Sequence, residues 1–179
     1  MKRLIILLAF CLIFTGCKKA KGPIAMEAKE LNLKFLSIAA KKGEFSDFAP
    51  DKIAPVDFYE ERYRSGDYKI IALDAGTVDR FISDDRVDLL FMDNYAYILT
   101  GYNNSLLELY NEYKGIKTTG GKRAETVLYR VYPTGEIRVL ELNGPAARDA
   151  HYILIVLNQL YNTDTVDEFN AWMAEMNSL

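Results

Sequence analysis

The stretch ETVLYRVYPTGEIRVLEL, residues 125–142, carries the clearest fold signal in the chain, because two runs of alternating residues flank a turn sequence. Pro133 presets the first central position of a turn and Gly135 supplies a left-handed residue, which is typical of a type I turn with a bulge. Pairing Tyr132 with Glu136 then sets the register of two antiparallel strands. In that register one face carries Val127, Tyr129, Val131, Ile137 and Val139. We predict that this apolar face is the buried one.

The opposite face of the same hairpin is basic. Arg130 lies opposite Arg138, which is unfavourable unless an anion or a carboxylate of a partner lies between the two guanidinium groups. Between residues 114 and 138 the chain carries Lys114, Lys117, Lys122, Arg123, Arg130 and Arg138 against two glutamates. This pattern indicates either a solvated basic face or a docking surface for an acidic partner. We name Lys122, Arg123, Arg130 and Arg138 the candidate basic surface.

Three further segments have strand character: YKIIAL (68–73), VDLLFM (87–92) and YAYILT (95–100) are short apolar runs bounded by turn residues. Asp93-Asn94 tolerates the positive φ values of a tight turn, so we predict that the second and third runs form another hairpin. Both faces of these strands are apolar, which predicts a central position in the sheet.

Six segments have helical character. We predict helices over 26–42, over 57–66, over 77–85 with Thr77 as N-cap, over 105–114, over 146–161 and from Thr165 onward. Asn104 or Ser105 as N-cap and Gly115 after the last turn specify both ends of the fourth helix. Together these elements predict an α+β fold in a single globular domain, residues 26–179. Its sheet would be mainly antiparallel, with about five strands in two hairpins, packed with about six helices.

The N-terminus has a different character. Lys2 and Arg3 precede an apolar run from residue 4 to residue 14, which is too short to cross a bilayer core of roughly 30 Å. A basic region, an apolar region and small residues in this order are typical of a signal peptide with a processing site. With Phe14-Thr15-Gly16-Cys17 as a lipobox, the segment resembles that of a bacterial lipoprotein precursor.

The resemblance implies that residues 1–16 are removed and that Cys17 carries a diacylglyceryl group, usually with an added acyl chain such as palmitate. Residues 17–25 would then be a lipidated tether on the periplasmic or outer-surface face of an envelope membrane, where several acyl chains anchor firmly. Cys11 would leave with the signal peptide, so no thiol would remain for a disulfide or a metal. The alternatives are an ordinary secretory signal and a buried N-terminal helix.

Charge and composition exclude several classes of partner and of catalytic site. The chain of 179 residues has a formal charge of −3, and loss of Lys2 and Arg3 leaves 20 basic against 25 acidic residues, a charge of −5. A mildly acidic domain argues against nucleic acid as a partner. His151 is the one histidine, so sites that need two imidazoles are excluded, and no serine-hydrolase motif occurs. We therefore name no catalytic residue and expect no cofactor.

Two features leave alternatives open. Asp74, Asp79, Asp84, Asp85, Asp88 and Asp93 crowd into twenty residues, and hard cations favour oxygen ligands, although caps and solvated turns use aspartate equally well. Twelve tyrosines suit a surface for peptides or sugars, but strand and helix cores use them too, and we favour the core.

The leading hypothesis is a non-enzymatic lipoprotein that binds a protein or glycan partner in the envelope. One alternative is an envelope hydrolase whose divalent cation is held by the aspartates, which requires at least three of them to converge. The other is a structural lipoprotein that stabilises an envelope complex, which requires a large apolar surface patch.

Overall fold

One sheet organises the residues that the computed structural model describes, namely 31, 33–38, 52–54, 68–116 and 123–178. Its strands are β1 (Phe35–Ile38), β2 (Lys52–Ala54), β3 (Ile70–Asp74), β4 (Ala96–Thr100), β5 (Thr126–Val131) and β6 (Ile137–Leu142). They lie in the order β2-β1-β3-β4-β5-β6. The first four strands are parallel, whereas β5 and β6 are antiparallel to their neighbours.

The described helices begin at side chains that cap them. They are α1 (Ala75–Ser83), α2 (Leu106–Tyr113), α3 (Ala150–Asn162) and α4 (Val166–Met176), with 3₁₀ turns at Val87–Leu90 and Ala146–Arg148. The N-caps Ser105 and Thr165 accept hydrogen bonds from the backbone three residues on, which confirms the predicted start at Thr165 and selects Ser105 over Asn104. The predicted cap of α1 is wrong, because Asp74 accepts from the Thr77 backbone N–H.

Helices cover both faces of the sheet, so two apolar cores form. Alternate residues of the central strands point to opposite sides, with Ile71, Tyr97 and Tyr129 in the core beneath α1 and α2. Leu128 and Leu140 belong to the core beneath α3 and α4. All six residues of β5 are buried. Arg130, on the basic face of the hairpin, therefore faces helices instead of solvent.

The predicted α+β class with a single sheet is confirmed, but the mainly antiparallel arrangement with two hairpins is wrong. The hairpin of β5 and β6 has the predicted register, with Arg130 opposite Arg138 and a left-handed Gly135 at φ 82°. The second hairpin does not form, because β4 pairs in parallel with β3 and antiparallel with β5. The turn at Asp93-Asn94 connects a 3₁₀ turn to β4.

The predicted helix over 26–42 is wrong where the structure describes it, since residues 35–38 form β1 between β2 and β3. Phe35 belongs to one core, and Leu36 and Ile38 belong to the other. A strand covered on both faces needs apolar side chains at both parities, and pairing with two neighbours outweighs helical spacing. The predicted helix at 57–66 lies outside the described residues, as do the signal peptide and tether.

The predicted strand at 87–92 is also wrong, because residues 87–90 form a 3₁₀ turn. Two tyrosine hydroxyls hold this turn: that of Tyr97 donates to the carbonyl of Leu89 at 3.2 Å, and that of Tyr129 donates to the carbonyl of Leu90 at 3.0 Å. The rings of Tyr97 and Tyr129 are stacked 4.7 Å apart. Backbone carbonyls of this apolar run are thus satisfied by side chains of β4 and β5 instead of by a neighbouring strand.

Candidate functional site

The described members of the candidate basic surface differ in burial. Lys122 lies outside the described residues, and Arg123 is exposed. Arg138 is half-buried, and Arg130 is only 9% exposed. Little of Arg130 is therefore open to a partner, and the docking role of the candidate basic surface stays a prediction.

Arg130 instead binds the C-terminal end of α3. Its Nη1 donates to the carbonyl oxygens of Leu160 at 2.7 Å, Tyr161 at 2.5 Å and Thr163 at 2.7 Å. These are carbonyls that a helix end leaves without an intrahelical partner, and the negative end of the helix dipole favours a cation there. The guanidinium also lies 4.9 Å from the ring centroid of Tyr132 and 5.6 Å from that of Tyr161. The residue is a structural clamp between the sheet and α3.

The aspartates do not converge. Asp74 is a buried helix cap, and Asp84 pairs with Arg80 at 2.7 Å between Oδ2 and Nε. The remaining four, Asp79, Asp85, Asp88 and Asp93, are exposed. Within the described residues no three histidine, cysteine or acidic side chains form a possible metal site. The convergence that the hydrolase alternative requires is therefore missing from these six aspartates.

Most of the tyrosines that the structure describes belong to the core, as expected. Tyr95, Tyr97 and Tyr102 of the segment YAYILTGY are buried, and so are Tyr110, Tyr129 and Tyr132. Burial raises the pKa of Tyr97 far above its ordinary value, and the nearby charges of Asp93 and Asp88 raise it further. A neutral phenol keeps its proton and can donate, which is the role of the Tyr97 hydroxyl toward the carbonyl of Leu89.

A groove lies where three segments meet, and we call it the aromatic groove. It is lined by residues of the 88–94 loop, by Tyr113 and Lys114 at the end of α2, and by residues 131–135 around the turn of the β5–β6 hairpin. Its volume is about 370 Å³. This falls within the range of roughly 300–1,000 Å³ that is usual for ligand sites.

Tyrosine hydroxyls fix each wall of the aromatic groove. The hydroxyl of Tyr110 donates to the carbonyl of Gly135 at 2.6 Å, which ties α2 to the hairpin turn. The hydroxyl of Tyr97 accepts from the backbone N–H of Met92 at 3.2 Å, and Tyr129 binds the loop at Leu90. The walls are therefore held in place before any ligand arrives, which lowers the entropic cost of binding.

The lining of the groove is both aromatic and charged. The ring of Phe91 is stacked on that of Tyr113 at 5.5 Å, and Tyr113 is 45% exposed. The Lys114 ammonium lies 5.4 Å from the centroid of the Tyr113 ring. Asp88 and Asp93 are exposed lining residues. The groove can thus offer an apolar ring, two carboxylates and one ammonium to a ligand.

Sequence reasoning missed this groove because its walls come from segments that are distant in the chain. Phe91, Tyr113 and Pro133 lie in a 3₁₀ loop, a helix end and a hairpin turn, and no local spacing links them. The clustering of tyrosines was a signal, since Tyr97, Tyr110 and Tyr129 hold the walls, but it did not indicate where the walls meet.

Compared with known proteins, the chain matches no family model, no curated protein and no solved structure. None of the helices within the described ranges is long and apolar enough to span a bilayer.

Proposed function

We propose that this protein is a lipid-anchored lipoprotein of the bacterial envelope that acts as a binding module for a protein or glycan partner. The lipobox resemblance at Cys17 supports the anchor. The observation that carries the binding role is the aromatic groove, which combines a partly exposed Tyr113 with walls held by hydrogen bonds of tyrosine hydroxyls. Exposed aromatic side chains with a rigid setting are the usual anchors of binding surfaces.

Site-specific photo-crosslinking in cells tests the binding role. A benzophenone amino acid at position 113 should give a discrete crosslinked product, because the partner covers the groove. The same group at position 107 is the matched control, since Leu107 is 43% exposed on the same helix but does not line the groove. Equal products at both positions, or none at position 113, would contradict the proposal.

Metabolic labelling with a fatty-acid analogue tests the anchor. The wild-type chain should incorporate the label, and Cys17→Ser should lose both the label and stable membrane association, because the resemblance places all acyl chains on Cys17. Label that persists in Cys17→Ser would overturn the lipoprotein part of the proposal without affecting the groove.

A further inference from the structure

The charges around the aromatic groove are unequal. Asp88 and Asp93 present two exposed carboxylates along the 88–94 loop, and Lys114 presents one ammonium at the end of α2. Both carboxylates belong to the loop that also carries Phe91, and all three residues line the groove together with Tyr113. The two carboxylates therefore place negative charge in the same groove as the Phe91 and Tyr113 rings.

We propose that the aromatic groove binds an arginine or lysine side chain of a protein partner, an inference that rests on the proposed binding function and names its ligand. The cationic head would pair with Asp88 and Asp93, and its methylene stem would pack against the Tyr113 ring. Carboxylates form charge-assisted hydrogen bonds with guanidinium and ammonium groups, and aromatic faces attract the same cations.

The position of Lys114 is consistent with this chemistry. Its ammonium lies 5.6 Å from the Tyr110 centroid and 5.4 Å from that of Tyr113, so a cation of the chain itself already uses these rings. Lys114 is exposed at the end of a helix, where its flexible side chain can move away from an incoming cation. Lys114 therefore competes with a cationic ligand for these rings, and Lys114→Gln should strengthen binding of such a ligand.

A methyl NMR titration of the full chain in detergent micelles tests the inference. With methionines labelled at the methyl carbon, Met92 reports from inside the groove, and Met173 and Met176 report from α4 on the other side of the sheet. The probe is acetyl-Gly-Arg-Gly-amide, and the matched neutral probe carries citrulline in place of arginine. We expect the arginine peptide to shift the methyl resonance of Met92 and not those of Met173 and Met176. The citrulline peptide should bind at least about fivefold more weakly.

Variants of the chain complete the test. The double variant Asp88→Asn, Asp93→Asn should bind the arginine peptide at least about fivefold more weakly, as expected for the loss of two exposed charge pairs. Asp79→Asn removes an exposed aspartate that does not line the groove, so it should leave the titration unchanged. Unshifted Met173 and Met176 resonances verify that each variant is folded. Added salt should weaken binding of the arginine peptide and leave binding of the citrulline peptide unchanged.

Several results would overturn the inference. Equal binding of both peptides, or an unchanged titration in the double aspartate variant, would show that charge does not select the ligand, although the groove would remain a binding site. A shift of Met92 by the neutral sugar tri-N-acetylchitotriose, with none by the arginine peptide, would assign the groove to a glycan. If no probe shifts Met92, the inference fails, and the crosslinking at position 113 decides the proposed function separately.

Discussion

Arg130 and Arg138 face each other across one hairpin, yet they have different surroundings. Arg130 on the inner strand is 9% exposed and donates to three carbonyls at the end of α3. Arg138 on the edge strand is half-buried and donates to the carbonyl of Val139 at 3.2 Å, with its guanidinium 5.9 Å from the Phe169 centroid. The same residue type in the same register thus has two roles.

Position in the sheet explains the difference. β5 lies between β4 and β6, and α3 packs across β4 and β5, so a side chain of β5 on that face meets the helix end. β6 is the outer strand of the described sheet, and Arg138 reaches its edge. An arginine beneath a helix terminus can satisfy several carbonyls at once, whereas one at an edge shares its charge with solvent.

The largest expected effect is that of Arg130→Met. Methionine keeps an apolar stem but removes the donor, so the carbonyls of Leu160 and Thr163 lose a buried charged partner. We expect the free energy of unfolding to fall by about 3 kcal/mol, since hydrogen bonds to charged groups are worth roughly 1.5–3 kcal/mol and orphaned buried acceptors add to the loss. Urea denaturation measures it. A loss below about 1 kcal/mol would remove the distinction between the two arginines.

A smaller effect is expected for Tyr132→Phe, which tests the surroundings of Arg130. The hydroxyls of Tyr132 and Thr163 lie 3.1 Å apart, and both groups are buried. Removing one hydroxyl and keeping the ring beside Arg130 should cost about 1 kcal/mol of unfolding free energy. Tyr161→Phe is the control, because it also keeps a ring beside Arg130. An equal loss in both variants would contradict a specific role for the Tyr132 hydroxyl.

The pH dependence of the free energy of unfolding also distinguishes the two arginines, through the pKa of Tyr132. Burial raises the pKa of Tyr132 above its ordinary value of 10.0, and hydrogen bonding to Thr163 and the charges of Arg130 and Arg138 oppose the rise. The native state therefore holds this proton more tightly than the unfolded state, so the associated stability is present below pH 10 and is lost as the pH rises through the folded pKa.

Two measurements test this. Tyr132→Phe should flatten the decline in stability above pH 10. By tyrosine-ring NMR, Arg130→Met should raise the pKa of Tyr132 more than Arg138→Met does, because Arg130 has the larger effect. A larger change in Arg138→Met would reverse the order that the structure assigns.

The smallest expected effect is that of Arg138→Met. The edge position leaves its charge partly in water, so we expect the free energy of unfolding to change by no more than about 0.5 kcal/mol. Thermal and urea unfolding beside Arg130→Met give the contrast directly. A loss as large as that of Arg130→Met would mean that both arginines serve the fold equally.

The tyrosines of the groove show where sequence reasoning reaches its limit. The segment YAYILTGY could be assigned to the core from its apolar pattern, and its three tyrosines are buried. The sequence does not show that the hydroxyls of Tyr97 and Tyr129 hold residues 87–90 in a 3₁₀ turn. Tyr129 and Leu90, for example, are hydrogen-bond partners that lie 39 residues apart in the chain. The aromatic groove depends on these same bonds and was therefore equally hidden.

The sequence by itself determined the features that close within a few residues. The turn at Pro133 and Gly135, the register of β5 with β6, and the caps at Ser105 and Thr165 are of this kind, because each needs only neighbours along the chain. Only the tertiary structure decided the parallel pairing of β1, the clamp at Arg130 and the groove between Phe91, Tyr113 and Pro133. These features depend on which distant segments pack together, and burial on both faces of the sheet overrides local spacing.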